Sequence, residues 1–322
     1  MYEDRSDQGE PCCMQPRRRG RAVASAVVRT AIGAVGRVLV TVGVLILLFA
    51  AYQLWGTGIY EARAQSDLRS TFDRDVARGR RTTTTSGATT TTGETPTTTA
   101  APVAPVVPAD GQPIGEIKID KIGLDKIVVQ GTTVPDLRMG PGHYEGSSLP
   151  GQLGNTAIAG HRTTYGAPFG DLDQLGTGDV ISIRTVSATW DYQLDRDPFA
   201  VQPNQTDVLD SVPGQATLTL TTCEPKYSAS ERLIVKATLK QTALPAPDGQ
   251  PKLVLDTGLS GGSESRIPAI ISGLIAAAVG GLWWLLFHRY PRWTTWIAGL
   301  IPFLAALFVF YTFLERVLPN NY

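Results

Sequence analysis

The 322-residue chain has little of what several common protein classes require. Its three cysteines, Cys12, Cys13 and Cys223, are too few for a disulfide-stapled scaffold. Its three histidines, His143, His161 and His288, do not supply a His-rich metal centre. Asp171, Asp173 and Asp179 lie close together but do not form a continuous calcium loop with a terminal Glu, so no metal and no cofactor is expected. The chain carries no net charge, with 29 basic and 29 acidic residues, and this excludes nucleic-acid binding driven by a basic field. Length alone allows about two ordinary domains. The hydrophobic share, 43%, is ordinary, but it is distributed very unevenly.

Long uncharged apolar runs lie at both ends. The first, Val38 to Trp55, is long enough to cross a ~30 Å hydrocarbon core, and a transmembrane helix is expected over 38–57. Arg17, Arg18, Arg19, Arg21, Arg29 and Arg37 precede it, which keeps residues 1–37 in the cytoplasm by the positive-inside rule. Arg63, Arg69 and Arg74 follow, interleaved with Glu61, Asp67 and Asp73, so 58–81 reads as a juxtamembrane segment. A cleavable signal peptide is the competing reading, but no small-residue cleavage site follows the run. Two further spans are expected over 267–287 and 293–314. The basic link His288-Arg289-Tyr290-Pro291-Arg292 between them faces the cytoplasm, with Trp283, Trp284, Trp293, Trp296 and Tyr311 as interfacial anchors and Pro302 kinking the last helix. The middle of the chain then lies outside the cell in a multi-pass membrane protein.

Residues 82–109 are built largely of Thr and Pro and offer too little apolar surface to offset the entropy of ordering; they read as a spacer. Residues 244–266 form a second linker. Between them, over 110–243, short β-prone runs alternate with Gly- and Pro-rich turns. They are Ile114–Ile119, Ile127–Val129, Thr156–Ala159, Asp179–Thr185, Thr189–Asp195, Ala216–Thr222 and Arg232–Lys240. Seven or eight short strands without a long amphipathic helix give a mainly β domain, a barrel or a sandwich.

Cys223 is the single cysteine in the exported part of this scheme, which is informative outside the cell. It ends the run Thr217-Leu218-Thr219-Leu220-Thr221-Thr222. His161 ends another, Thr156-Ala157-Ile158-Ala159-Gly160, and Arg232 opens a third, Leu233-Ile234-Val235. Taken singly, each has a bland reading: a small buried hydrophobe, a structural imidazole, a surface cation. Together they suit nucleophilic chemistry at a carbonyl. A thiol of pKa ~8.5 needs a neighbouring cation, which His161 as imidazolium supplies before protonating a leaving amine. Arg232 offers donors for an oxyanion.

The segments Ala159-Gly160-His161-Arg162 and Thr219-Leu220-Thr221-Thr222-Cys223, with Arg232 downstream, resemble the sortases, membrane-anchored cysteine transpeptidases of Gram-positive bacteria. The likeness spans roughly 113–240. It implies a closed barrel of about eight strands, with Cys223 as nucleophile, His161 as acid/base and Arg232 as the substrate-aligning cation. Tyr144 beside His143, and Thr163-Thr164-Tyr165-Gly166-Ala167-Pro168-Phe169, resemble the class E sortases of actinobacteria. That implies a Leu-Ala-x-Thr-Gly type of sorting signal in place of Leu-Pro-x-Thr-Gly. It also implies sorting-signal-bearing surface proteins and the stem amine of a lipid-linked peptidoglycan precursor as partners, with the lipid bilayer as the platform. Tyr144, His143 and Thr222 are expected to line the peptide site. The alternatives are a pilus-polymerising sortase with a lysine acceptor and a non-catalytic, stalked surface protein.

Overall fold

The structure, a computed structural model, describes residues 18–85, 107–226, 230–246, 266–288 and 293–317. Cys12 and Cys13, most of the Thr/Pro-rich linker (86–106), most of the second linker (247–265) and the link 289–292 lie outside the described residues, as do the side chains of Trp293 and Trp296. The chain divides into two units, 1–50 and 51–322. The first consists, where described, of helix α1 (Arg18–Ala51). From Val38 onward this helix carries no charge, and Val38, Leu39, Ile46 and Leu47 are all more than half exposed. So many bare apolar side chains are stable only in an apolar solvent.

The second unit opens with a single π-turn, Tyr52–Gly56, that leads into helix α2 (Thr57–Thr85). The expected juxtamembrane segment is therefore regular helix, and it is packed. Leu68, Phe72 and Val76, spaced to share one helical face, are buried against Ile127 and Val129. Buried side chains of this size contribute about 1.5–3 kcal/mol each. Gln65, buried beneath the helix, donates to the carbonyls of Ile127 (3.0 Å) and Met139 (2.8 Å) and accepts from the Ile127 N–H (2.7 Å). Around this seam Arg69 pairs with Glu116 and Asp125, and Arg184 pairs with Glu116 and Asp73.

Among the described residues nine strands follow: β1 (Pro113–Ile119), β2 (Leu124–Gln130), β3 (Gly142–His143), β4 (Gly154–Ala159), β5 (Val180–Arg184), β6 (Thr189–Leu194), β7 (Phe199–Val201), β8 (Ala216–Glu224) and β9 (Glu231–Leu239). A short helix, α3 (Val134–Met139), is capped by Thr133 and Asp136 and stands between β2 and β3. The strands run in the order β6-β5-β1-β2-β3-β4-β8-β9, and pairing of β6 with β9 closes the ring into an eight-stranded barrel. β7 pairs with residues 232–234 of β9, on the part of its edge that β6 leaves open. Closure removes the edges that so small a sheet would otherwise expose. Alternation sorts the faces. Leu218 and Leu220 of β8, and Leu233, Val235 and Ala237 of β9, join Ile117, Ile119, Ile158, Ile181 and Ile183 in the barrel core. All seven β-prone runs are strands, with boundaries moved by up to three residues, most at the start of β2; the two- and three-residue strands β3 and β7 are additions.

Helices α4 (Ile267–Phe287) and α5 (Trp293–Val317) form a hairpin in which small residues face large ones. A Cβ on Gly273 would meet the Phe310 ring at 2.9 Å, and one on Gly280 would meet Phe303 at 2.9 Å. The α5 helix runs through Pro302. Its C-terminal turns meet the π-turn: the Tyr52 ring lies 5.2 Å from Phe308 and 5.9 Å from Tyr311, and its hydroxyl is 3.2 Å from the Glu315 carboxylate. Among the described residues, three helical stretches, Ile32–Gly79, Ile267–Phe287 and Ile297–Glu315, contain enough apolar length to cross a membrane.

Candidate active site

The candidate residues gather on the outer face of the barrel, at one end of β4, β8 and β9. Because Leu218 and Leu220 point into the core, Thr217, Thr219, Thr221 and Cys223 point outward. Cys223 is a free cysteine, 9% exposed. On the antiparallel neighbour Arg232 sits directly opposite it, so the two side chains share one face as a cross-strand pair. On the other side β4 runs parallel to β8 with Ala159 beside Thr221. The pairing persists beyond the strand end: the Gly160 N–H donates to the Thr221 carbonyl (3.1 Å), and the Thr222 hydroxyl donates to the Gly160 carbonyl (2.7 Å). Continued for two residues, the same register runs from Ala159 and Thr221 to His161 and Cys223. Sheet register thus pairs Cys223 with Arg232 and sets His161 just past the end of the neighbouring strand.

His161 is held by a strained loop. Tyr165, Gly166 and Ala167 all have positive φ (50°, 71° and 44°), and two of the three are not glycine. The Tyr165 N–H donates to the Thr57 hydroxyl of α2 at 3.0 Å, and the Tyr165 ring lies 5.0 Å from the His161 ring. At Gly166 a Cβ would come within 2.5 Å of the Glu61 carboxylate, so only glycine fits there. The Thr164 hydroxyl lies 3.3 Å from His161 Nδ1. On the strand before the loop, Gly160 lets the Phe169 ring press against the backbone, where a Cβ would meet it at 2.7 Å.

Protonation departs from the sequence-based expectation in one respect. Burial, and then the charge of Arg138, push the His161 imidazole down to about 3, so it is neutral at physiological pH. Burial pushes the Cys223 thiol up, and Arg232 and Arg162 pull it back without reversing the shift. The pair at rest is therefore neutral thiol and neutral imidazole. The cations beside the sulfur are the two guanidinium groups, not an imidazolium. Arg162, to which sequence reasoning gave no role, is buried; it donates to the Cys223 carbonyl (2.9 Å) and to the Glu224 carboxylate, and lies 3.4 Å from Asp173. It pins the end of β8 to the loop after His161. Its place immediately after His161 was the available signal.

The three residues expected to line the peptide site separate. Tyr144 stands on the Cys223 side of the sheet: its hydroxyl lies 3.1 Å from Thr221 Oγ1, and burial pushes its phenol up. His143 does not. It is 1% exposed, with Nδ1 3.0 Å from Gln130 Oε1 and Nε2 3.0 Å from the Ser148 carbonyl and 2.9 Å from the Ser147 hydroxyl, so it locks the loop beneath Tyr144. Thr222 does not either. It is 2% exposed on the inward side of β8, with its hydroxyl committed to Gly160. Asp171, Asp173 and Asp179 each face a different cation, Lys226, Arg162 and Lys121 respectively.

Residues 117–240 match the sortase domain. This part of the chain is a sortase domain. Sortase SrtE1 of Streptomyces coelicolor is 30% identical over 69% of this chain and 61% of its own length. Sortase SrtE2 of the same organism is 28% identical over 70% of this chain and 88% of its own length. Among solved structures, a Clostridium perfringens sortase D5 transpeptidase is 27% identical, covering 56% of this chain and 99% of its own, with a TM-score of 0.43. The chain thus spans about three fifths of the length of SrtE1. The sortase domain coincides with the barrel from β1 to β9. α2, α4 and α5 lie outside it.

Proposed function

We propose that this sortase is a membrane-anchored cysteine transpeptidase that cleaves a Leu-Ala-x-Thr-Gly or Leu-Pro-x-Thr-Gly-like signal between Thr and Gly and passes the acyl group to the amine of a cell-wall precursor. The observation that carries this reading is the alignment of Cys223 between Arg232 on β9 and the end of β4, where His161 stands. Starting from the neutral pair, His161 takes the thiol proton as sulfur attacks the threonine carbonyl. The carbonyl oxygen gains charge and is met by the Arg232 guanidinium; such a donor supplies ~3–4 kcal/mol to the transition state. The C–N bond breaks, His161 returns its proton to the glycine amine, and a thioester remains on Cys223. An incoming amine attacks that thioester and loses its proton to His161. Collapse breaks the C–S bond, and the proton returns to sulfur.

Tyr144, at the groove beside Thr221, is placed to read the residue after the leucine of the signal. We place the N-terminus in the cytoplasm and the barrel outside, on the strength of the arginines before Val38 and the parity of three apolar helices. Tethering the enzyme to the bilayer that carries a lipid-linked acceptor raises their effective concentration. The test is mass spectrometry of the full chain with a Leu-Ala-x-Thr-Gly peptide and a diaminopimelate-type amine. The expected product joins the threonine carbonyl to that amine. Peptide left intact would overturn the reading, and transfer to a lysine side chain in its place would assign the chain to pilus assembly.

A further inference from the structure

A second site lies behind the catalytic histidine, where the barrel meets the helical hairpin. A cavity of about 340 Å³ is enclosed by the π-turn and start of α2, by α3, by Tyr165 and by the last turns of α5. Its size is that of a small-molecule pocket. One wall is aromatic and aliphatic, including Tyr52, Ile59, Tyr60 and Phe308. The other carries Arg63 and Arg138. Glu315 is the single acidic group on the lining, and it faces the Tyr52 hydroxyl.

Arg138 is the anomaly. It is 7% exposed, it pairs with no carboxylate among the described residues, and its Nε and Nη2 find no acceptor there. Its contact is the face of Tyr165, 5.9 Å from the ring centroid. A buried guanidinium without a counter-ion is costly, and the usual resolution is an anion brought by a partner. Arg63, on the exposed face of α2, adds a second cation at the rim.

We propose that this cavity holds the phosphoryl headgroup of an anionic lipid, with Arg138 and Arg63 facing the phosphate and the aromatic wall against the glycerol and first methylenes. Arginine forks suit phosphate oxygens. The position argues for lipid over a soluble phosphate. The apolar stretch of α5 ends at Glu315, and Phe308, Thr312 and Glu315 line the cavity, so the cavity lies at the end of the α5 span. This inference rests on the membrane reading of that helix and not on transpeptidation.

The test is thermal unfolding of the full chain in nanodiscs of phosphatidylcholine alone or mixed with phosphatidylglycerol, beside detergent with and without inorganic phosphate. Phosphatidylglycerol is expected to raise the wild-type Tm by ~3 °C relative to phosphatidylcholine, with the gain lost in Arg138→Gln and halved in Arg63→Gln. In detergent Arg138→Gln should melt no lower than wild type, because an uncompensated buried charge has been removed. An equal gain in both variants, or none in wild type, would overturn the site. The same gain from inorganic phosphate in detergent would overturn the lipid assignment. Peptide turnover is read separately, so failure here leaves the catalytic reading intact.

Discussion

Two Gly-His pairs stand on neighbouring strands of the barrel, Gly142-His143 on β3 and Gly160-His161 just past β4, and their surroundings could hardly differ more. His143 has polar partners at both ring nitrogens, and burial pushes it down to about 4. His161 is also buried, but its ring lies tilted 5.0 Å from that of Tyr165, just past the end of β4 and ahead of a loop with three successive positive φ values. The first arrangement fixes a backbone. The second keeps an imidazole neutral and aimed. Burial and a depressed pKa alone therefore do not distinguish the two histidines; their neighbours do.

The comparison breaks most visibly under substitution. His161→Ala should lower peptide turnover by ~10³-fold or more, the range of a lost acid/base group, while His143→Ala should spare turnover per folded molecule and cost about 2–3 kcal/mol in denaturant unfolding. Equal effects on turnover would erase the distinction. Arg232→Ala is next, at ~10²–10³-fold in kcat with KM changed less, and Arg232→Lys should recover only part of it, because a point charge lacks the fork.

Smaller is the pH dependence. Both imidazoles are neutral in the native state and ordinary in the unfolded one, so the unfolded state binds more protons as pH falls below about 6.5, and stability drops. Each contributes a slope of about 1.4 kcal/mol per pH unit while pH stays above its native pKa, and His143→Gln should remove one such share between about pH 4.5 and 6. An unchanged slope would mean His143 is not held neutral. Smallest is Tyr144→Phe, which removes the contact with Thr221. It should shift the ratio of Ala- to Pro-containing peptide turnover by only a few-fold, and an unchanged ratio would take Tyr144 out of the recognition site.

Much of this was legible in the chain. The runs Thr217–Thr222 and Leu233–Val235 permitted a hairpin with Cys223 and Arg232 at its rim, and the β8–β9 register pairs them. The packing of α2 is masked by its interleaved charges, which read as a juxtamembrane segment. Yet Leu68, Phe72 and Val76 recur every fourth residue, and Ile127, Val128 and Val129 form an unbroken apolar run, which a strand buried on both faces requires. Strands β3 and β7 are too short to carry a period. The roles of His143 and Thr222 depended on which side of a sheet each faces, and a two-residue strand gives no pattern from which to tell.

The most direct measurement is intact-mass analysis of the full chain trapped with a sorting-signal peptide before the acceptor amine is added. The account predicts one acyl adduct, mapped to Cys223, that is abolished in Cys223→Ala, strongly reduced in His161→Ala and retained in His143→Gln. An adduct that forms equally well without His161, or that maps to another residue, would contradict it.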